Sequence, residues 1–556
     1  VNHYSSRSNR LQQLIATLVL ALLFGQSTFA QQAAAPAPAL SALETELASN
    51  IKTETIKEVV TALSANDMQG RGTGQPGGDK AANYIADRFA KLGLKPLGEK
   101  NTYLQPVKFK EYQFTPETTF KLGNESLKLG ADFFPAPPLS GDKDISGGLV
   151  FVAYGLHSTS PKRNDLLGAD LSGKIVVLLE GPPKVVSKEA WKQAKIQIDI
   201  IRTVIGLGAR GLIIVSQPDP EHTYSEMADY LTRRRIEPES EEDYPSFLPP
   251  FIAVSDATLD KLFANSGMTR QEAFAKAETE SFTAMDLKQE ASITVKFKRG
   301  KSVGNNVVGL LEGSDPKLKA EALVYSAHYD AYGIAGDKIY HGAADNALGV
   351  GEMLAVAESL SKAVTKPKRS VVFLAVTGEE YGGYGSDYWV KNPTWKIKQV
   401  VADLNLDGMG TEVYGPVKTL VGYGAEHSTL GDTLNAAAAA LQLKVIADPM
   451  PEEKSFYRSD HYFFVKKGIP GIMILGAPEG ETKSWVDRLK QWEKTDYHQP
   501  TDIIRDDWNW DGPRTIAVLA LVMGLRITQE ENMPSWVSTS IFNRERGTDK
   551  PAPPEP

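Results

Sequence analysis

From about Ser292 onward, short apolar runs alternate with stretches whose apolar residues recur at helical spacing. Candidate strands are Asn306–Leu311, Ala322–Ala327, Ser370–Val376, Val400–Leu406 and Gly471–Leu475, with helical patterns at Gly349–Ala363 and Leu430–Leu441. Strands separated by helices predict an α/β fold with a mostly parallel central sheet flanked by helices.

The upstream texture differs. Residues 43–94 read as helical, with Gly93 as a C-cap. The loop Gly70-Arg71-Gly72-Thr73-Gly74-Gln75-Pro76-Gly77-Gly78 lacks the Gly-Lys-Ser/Thr ending of a phosphate loop and follows no strand, so it reads as an ordinary glycine-rich turn. Between Phe133 and Met285 lie short β-rich runs, such as Lys174–Leu179 and Gly211–Val215, around a helical stretch from Trp191 to Gly208. Only His157 and His222 fall in this block, which reads as a non-catalytic β-rich domain inserted into a larger one. The expected organisation is a leader (1–30), a flexible lead-in (31–42), a first part of the main domain (43–132), the insert (133–285), the main part (286–530) and a disordered tail (531–556).

The leader is expected from Arg7 and Arg10, the apolar run Leu14–Gly25 and the small-residue segment ending at Ala30, a pattern of signal-peptide proportions. The run is short of the ~20 residues a bilayer span needs, and no second apolar run is long enough. With no cysteine anywhere, the chain does without disulfides and is no lipobox lipoprotein. Together these predict a secreted or periplasmic bacterial protein without stable membrane insertion after cleavage. A net charge of −8 argues against nucleic acid as a partner.

Polar residues of the main part gather at predicted strand ends, where open α/β sheets place their sites. Ser326-Ala327-His328-Tyr329-Asp330 offers an imidazole whose other N–H the Asp330 carboxylate could accept; alone, His-x-Asp reads first as a surface turn. Asp345, in His341-Gly342-Ala343-Ala344-Asp345-Asn346, is either a helix N-cap or a carboxylate able to bridge two cations. Glu379 and Glu380 follow an almost wholly apolar strand; buried carboxylates there need metals or strong donors, and could divide into a ligand and a proton shuttle. Asp407 ends another strand, and His498 follows Asp496-Tyr497.

This series resembles the M28 family of cocatalytic zinc peptidases: His328-Tyr329-Asp330, Gly342–Asn346, Gly378-Glu379-Glu380, Asn405-Leu406-Asp407 and Tyr497-His498. The resemblance implies two Zn²⁺ per chain, one held by His328 and Asp407, the other by Glu380 and His498, with Asp345 bridging. It further implies Glu379 as general base, Asp330 as the partner of His328 and Tyr497 as an oxyanion donor. The insert is similar to the family's protease-associated domain. Many relatives carry a second acid where this chain has Asn346. The residue types suit zinc, although cobalt or manganese accept the same donors.

His461, in Ser459-Asp460-His461, is the rival to His498 and is read as structural or substrate-lining. His341 reads as a loop residue, His427 as preceding a helix whose N-cap is Ser428 or Thr429, and Asp403 as structural. The implied activity is an exopeptidase acting on peptides, foremost an aminopeptidase. Carboxypeptidase and glutaminyl cyclase activities are the alternatives. A receptor-like binding protein that had lost catalysis would not keep five ligands and Glu379.

Overall fold

The computed structural model describes residues 39–553, apart from residues 137–141, 160, 161, 185, 194, 195, 217–222, 240–247, 279–281, 409 and 479–481. The expected leader and most of the lead-in lie outside the described residues, as do His222 and Met409.

Among the described residues, ten strands form the main sheet: β1 (Lys95–Pro96), β2 (Leu104–Phe114), β3 (Arg235–Pro238), β4 (Phe297–Leu311), β5 (Ala322–His328), β6 (Ser370–Val376), β7 (Val400–Asn405), β8 (Val417–Tyr423), β9 (Lys444–Ile446) and β10 (Gly471–Pro478). Their order is β3-β2-β4-β6-β5-β7-β10-β8-β9, with β1 paired to β4. The central four, β6-β5-β7-β10, are parallel. The β4–β6, β2–β4, β2–β3 and β8–β10 pairs are antiparallel. The sheet is therefore mixed, which corrects the expectation of a mostly parallel one. In β2 and the first half of β4 charged residues interrupt the apolar ones, as at Lys108, Lys110, Lys298 and Lys301, whereas the second half of β4, within Asn306–Leu311, carries the apolar run read as a strand although it pairs antiparallel.

Those runs have a packing cause. Every residue of β5 and β6 is buried. Successive side chains point to opposite faces: Leu323, Tyr325, Phe373 and Ala375 join the large core on one side, while Val324, Val372, Leu374 and Val376 join a second cluster on the other. Helices Thr53–Leu63, Leu348–Ser361 and Asp511–Gln529 contribute to the large core; Trp389 and Phe464 contribute to the second. With both faces covered, no position can be polar without a partner, and truncating Phe373, stacked on Tyr325 at 5.6 Å, costs about 3–5 kcal/mol.

A second sheet, built from residues 119–295, has the order Glu125–Leu127, Thr119–Leu122, Met285–Val295, Lys143–Phe151, Ile175–Leu179, Gly211–Val215, Phe251–Val254 and Phe133–Pro135. It has its own apolar core, including Leu149, Val176, Leu212 and Phe263. One segment leaves this sheet: helix Tyr224–Thr232 runs into β3, which pairs with β2 from Arg235↔Tyr112 to Pro238↔Phe109.

The tail was expected to be disordered, yet up to residue 553 it packs on the main unit. Phe542 is fully buried, the Trp536 indole donates to Gly468 O at 3.1 Å, and Arg546 donates to Val401 O at 2.8 Å. Its aromatic residues find a groove that composition alone does not reveal. No helix among the described residues is long and apolar enough to cross a membrane.

Candidate metal centre

β6, β5 and β7 run side by side in parallel, so their carboxyl ends open on one edge. His328 is the last residue of β5 and Asp407 follows β7 by two residues. After β6 the chain turns at Gly378, whose φ of 74° suits glycine, and presents Glu379 and Glu380. Asp345 comes from the loop before helix Leu348–Ser361; the Ala344 and Asp345 N–H groups donate to the Asp502 carboxylate at 2.9 and 3.0 Å. The Asp345–Asn346 peptide is cis. The Asn346 amide donates to Leu406 O at 2.9 Å and accepts from the Gly408 N–H at 3.2 Å, tying this loop to the segment carrying Asp407. His498 stands in a loop at φ 59°.

These elements bring five side chains into two clusters that share one residue: His328, Asp345 and Asp407, and Asp345, Glu380 and His498. Asp345 Oδ1 lies 3.1 Å from His328 Nε2, while its Oδ2 lies 3.4 Å from His498 Nε2. His328 Nε2 is also 3.3 Å from Asp407 Oδ1, and His498 Nε2 is 3.1 Å from Glu380 Oε2. Burial pushes the His328 imidazolium down, but the Asp407 and Asp345 carboxylates outweigh it and hold the group well above its ordinary value. His498 is half-buried, and against the desolvation this brings Glu380 and Asp345 push it up to about 9. Carboxylates that hold protons on both imidazoles so firmly are a donor set for cations, which take the protons' place. Two imidazoles and three carboxylates, three donors per cluster, suit zinc.

Asp330 lies beside His328, but the closer partner of His328 Nδ1 is the Asp330 backbone carbonyl, at 3.2 Å, with the carboxylate at 3.9 Å. That carboxylate instead accepts the Glu379 N–H at 3.2 Å and the Thr73 hydroxyl at 3.0 Å. Glu379 lines the cleft over the clusters, together with Tyr497, Ser455 and Arg458. Burial raises the Glu379 carboxyl well above the ordinary range, and the neighbouring Asp460 and Asp407 add to the shift against the opposing pull of His328. The Tyr497 ring stacks on His498 with centroids 3.6 Å apart.

Several supporting residues escaped the sequence reading. The loop read as an ordinary turn carries Arg71, fully buried, which donates to Leu63 O, Tyr329 O, His341 O and Gly342 O at 2.5–2.8 Å. It also carries Thr73, which accepts the Gly378 N–H at 3.0 Å. Ser459 donates to Asp407 Oδ2 at 2.6 Å and accepts from the Asn405 amide at 2.6 Å. An arginine and a threonine between glycines were the available signal, but which carbonyls they reach is a property of the assembled fold.

His461 stands outside both clusters, fully buried against Phe456 at 5.4 Å. His341 accepts no place there either; its Nδ1 lies 2.8 Å from Ser64 O. Asp403 is buried and accepts from Ser326 at 3.1 Å.

Residues 306–523, a span that holds all five clustered residues, match the family model described as Peptidase family M28. The Vacuolar membrane protease of Clavispora lusitaniae is 38% identical over 106 residues, 19% of this chain and 9% of that protein. The match thus spans under a tenth of that relative's length. The structure of an aminopeptidase from Aneurinibacillus sp. strain AM-1 superposes with a TM-score of 0.58 at 21% identity, covering 88% of this chain and 97% of that one. BSAP, a zinc aminopeptidase from Bacillus subtilis, gives 0.53 at 17% identity, covering 87% and 96%. These likenesses establish a shared mixed α/β fold. The curated relatives correct the expected location: proteins of the same name in several yeasts are vacuolar membrane proteases, which points away from a bacterial periplasm or medium. A charged, apolar leader specifies entry into a secretory route and not the compartment at its end.

Proposed function

From the premise that the chain belongs to peptidase family M28, we propose that it is a dizinc exopeptidase, foremost an aminopeptidase. The observation that carries the two-ion reading is the division of Asp345, one carboxylate oxygen toward His328 and the other toward His498. A single-ion site needs no such split. His328 and Asp407 would hold one ion, Glu380 and His498 the other, and Asp345 both.

Two bound zinc ions supply an acidified water and a polarised scissile carbonyl. The chain's own groups do the rest. Glu379, raised by burial among carboxylates, takes the proton of the attacking water and passes it to the leaving amine. Tyr497, which burial holds well above its ordinary value, stays protonated and donates to the developing oxyanion. Asp330 fixes the Glu379 backbone through its N–H. Residues 133–285, within the second sheet's unit, are read as the inserted protease-associated domain.

The test compares one peptide in free, N-acetylated and C-amidated forms, with zinc content measured alongside. Cleavage of the free and amidated peptides but not the acetylated one is expected, with about two zinc ions per chain. Cleavage of the acetylated but not the amidated peptide refutes the aminopeptidase reading and leaves the metal reading intact.

A further inference from the structure

His328 is carried on a strand buried on both faces, whereas His498 sits in a loop with no strand to aim it. Tyr332, which reaches His498 Nδ1, is in turn packed by residues of the second unit. The segment leaving its sheet bears three consecutive arginines, and each engages the main unit. Arg234 donates to Glu111 at 2.9 Å, to Thr73 O at 2.9 Å and to Ser302 Oγ at 3.1 Å. Arg235 lies over the Tyr230 and Tyr381 rings at 4.7 and 5.8 Å.

Arg233 is buried against two rings, 4.0 Å from the centroid of Tyr340 and 5.1 Å from that of Tyr332. It pairs with Asp229, which also accepts the Tyr340 hydroxyl at 3.1 Å. Its Nε and Nη1 have no hydrogen-bond partner among the described residues, so ring faces hold that side of the guanidinium. Tyr230 closes on Tyr332 edge-to-face at 5.9 Å.

Tyr332 is the point of delivery. Its hydroxyl lies 3.2 Å from His498 Nδ1 and 3.4 Å from Glu380 O. With His498 Nε2 directed at the carboxylates, Nδ1 carries the proton and donates to the Tyr332 oxygen. The Tyr332 O–H is then free to donate to the Glu380 carbonyl. One hydroxyl thereby links two residues of the same cluster, with one proton for each bond.

We propose that Tyr332 is a positioning residue that aims His498 and Glu380 at a common ion, and that the arm 224–238 of the second unit holds Tyr332 there through Arg233. The inference rests on the metal reading above. Groups that orient a metal-bound histidine are worth about 10- to 100-fold in affinity when removed.

The test titrates zinc into the chelator-stripped full chain by calorimetry, for wild type, Tyr332→Phe, Arg233→Met and Arg233→Lys. Wild type is expected to show two binding events. Tyr332→Phe weakens one by about 10- to 100-fold and leaves the other unchanged. Arg233→Met weakens the same event by a smaller factor, and Arg233→Lys restores part of the loss. Two zinc events unaffected by Tyr332→Phe and Arg233→Met overturn this inference alone; a wild type that binds no zinc overturns the metal reading and this inference with it. Should the variants fail to fold, the zinc-loaded wild type labelled with ¹⁵N-histidine decides. A slowly exchanging Nδ1–H on His498 is expected, and an unprotonated or freely exchanging Nδ1 refutes the link.

Discussion

The Thr73 hydroxyl donates to Asp330 at 3.0 Å, joining a glycine-rich loop near the start of the main unit to the end of β5. The same oxygen accepts the Gly378 N–H at 3.0 Å and stands 3.1 Å from the Thr377 hydroxyl. One side chain thus braces both the strand end bearing His328 and the turn bearing Glu379.

Replacing Thr73 by Val keeps the shape and removes the hydroxyl, leaving the Gly378 N–H and one Asp330 oxygen without that partner. A stability loss of about 1–3 kcal/mol is expected, with kcat lowered and zinc content retained. Thr73→Ser should restore both. Thermal melts and peptide-cleavage kinetics check this; Thr73→Val kinetics equal to wild type would contradict the bracing role.

Glu379→Gln preserves volume and removes the acceptor for the water's proton. Turnover is expected to fall by at least the ~10²–10⁴-fold typical of a lost general base, with zinc still bound. Metal analysis beside single-turnover kinetics separates the two effects.

Asp345→Asn leaves one carboxylate-like oxygen where two are used. It should weaken both zinc ions, whereas Asp407→Asn and Glu380→Gln each weaken one. Zinc titrations of the three variants read the difference, and a single affected ion in Asp345→Asn would remove the bridge.

In the chelator-stripped protein, His498 is pushed up to about 9 from an ordinary 6.5, and His328 shifts in the same direction. A raised folded-state value contributes stability that is complete below about pH 6.5 and is lost as pH rises through about 9. The melting temperature in chelator should therefore fall across that window. The zinc-loaded protein, with the imidazoles neutral and bound, should change less. A melting temperature in chelator that holds steady or rises from pH 6.5 to 9 would refute the pairing.

The gathering of these side chains was legible because they sit where continuous apolar runs stop: His328 ends one strand buried on both faces, Glu380 and Asp407 follow two others, and such runs stand out in sequence. Asp345 and His498 lie in loops, and the resemblance supplied their roles. The supports were hidden for a physical reason. Arg71, Thr73 and Tyr332 act through backbone carbonyls, N–H groups and ring faces, which any neighbouring residue can supply, so no pairing rule links them in sequence. Beyond the apolar end of β4 at Asn306–Leu311, the β2–β4 pairing was hidden likewise, since β2 and the first half of β4 mix charged and apolar residues like any solvent-edged strand and find one another only across the whole second unit.

That last pairing also sets an order in time. During synthesis β2 emerges long before β4, its neighbour from Leu104↔Val307 to Phe297↔Phe114. Until then β2 presents bare N–H and C=O groups, an invitation to foreign strands. The early partner on its other side is β3, delivered by the second unit midway through translation. Besides any role at the cleft, the arm can thus serve the nascent chain as a built-in guard, covering one open flank of the main sheet before the rest of that sheet exists.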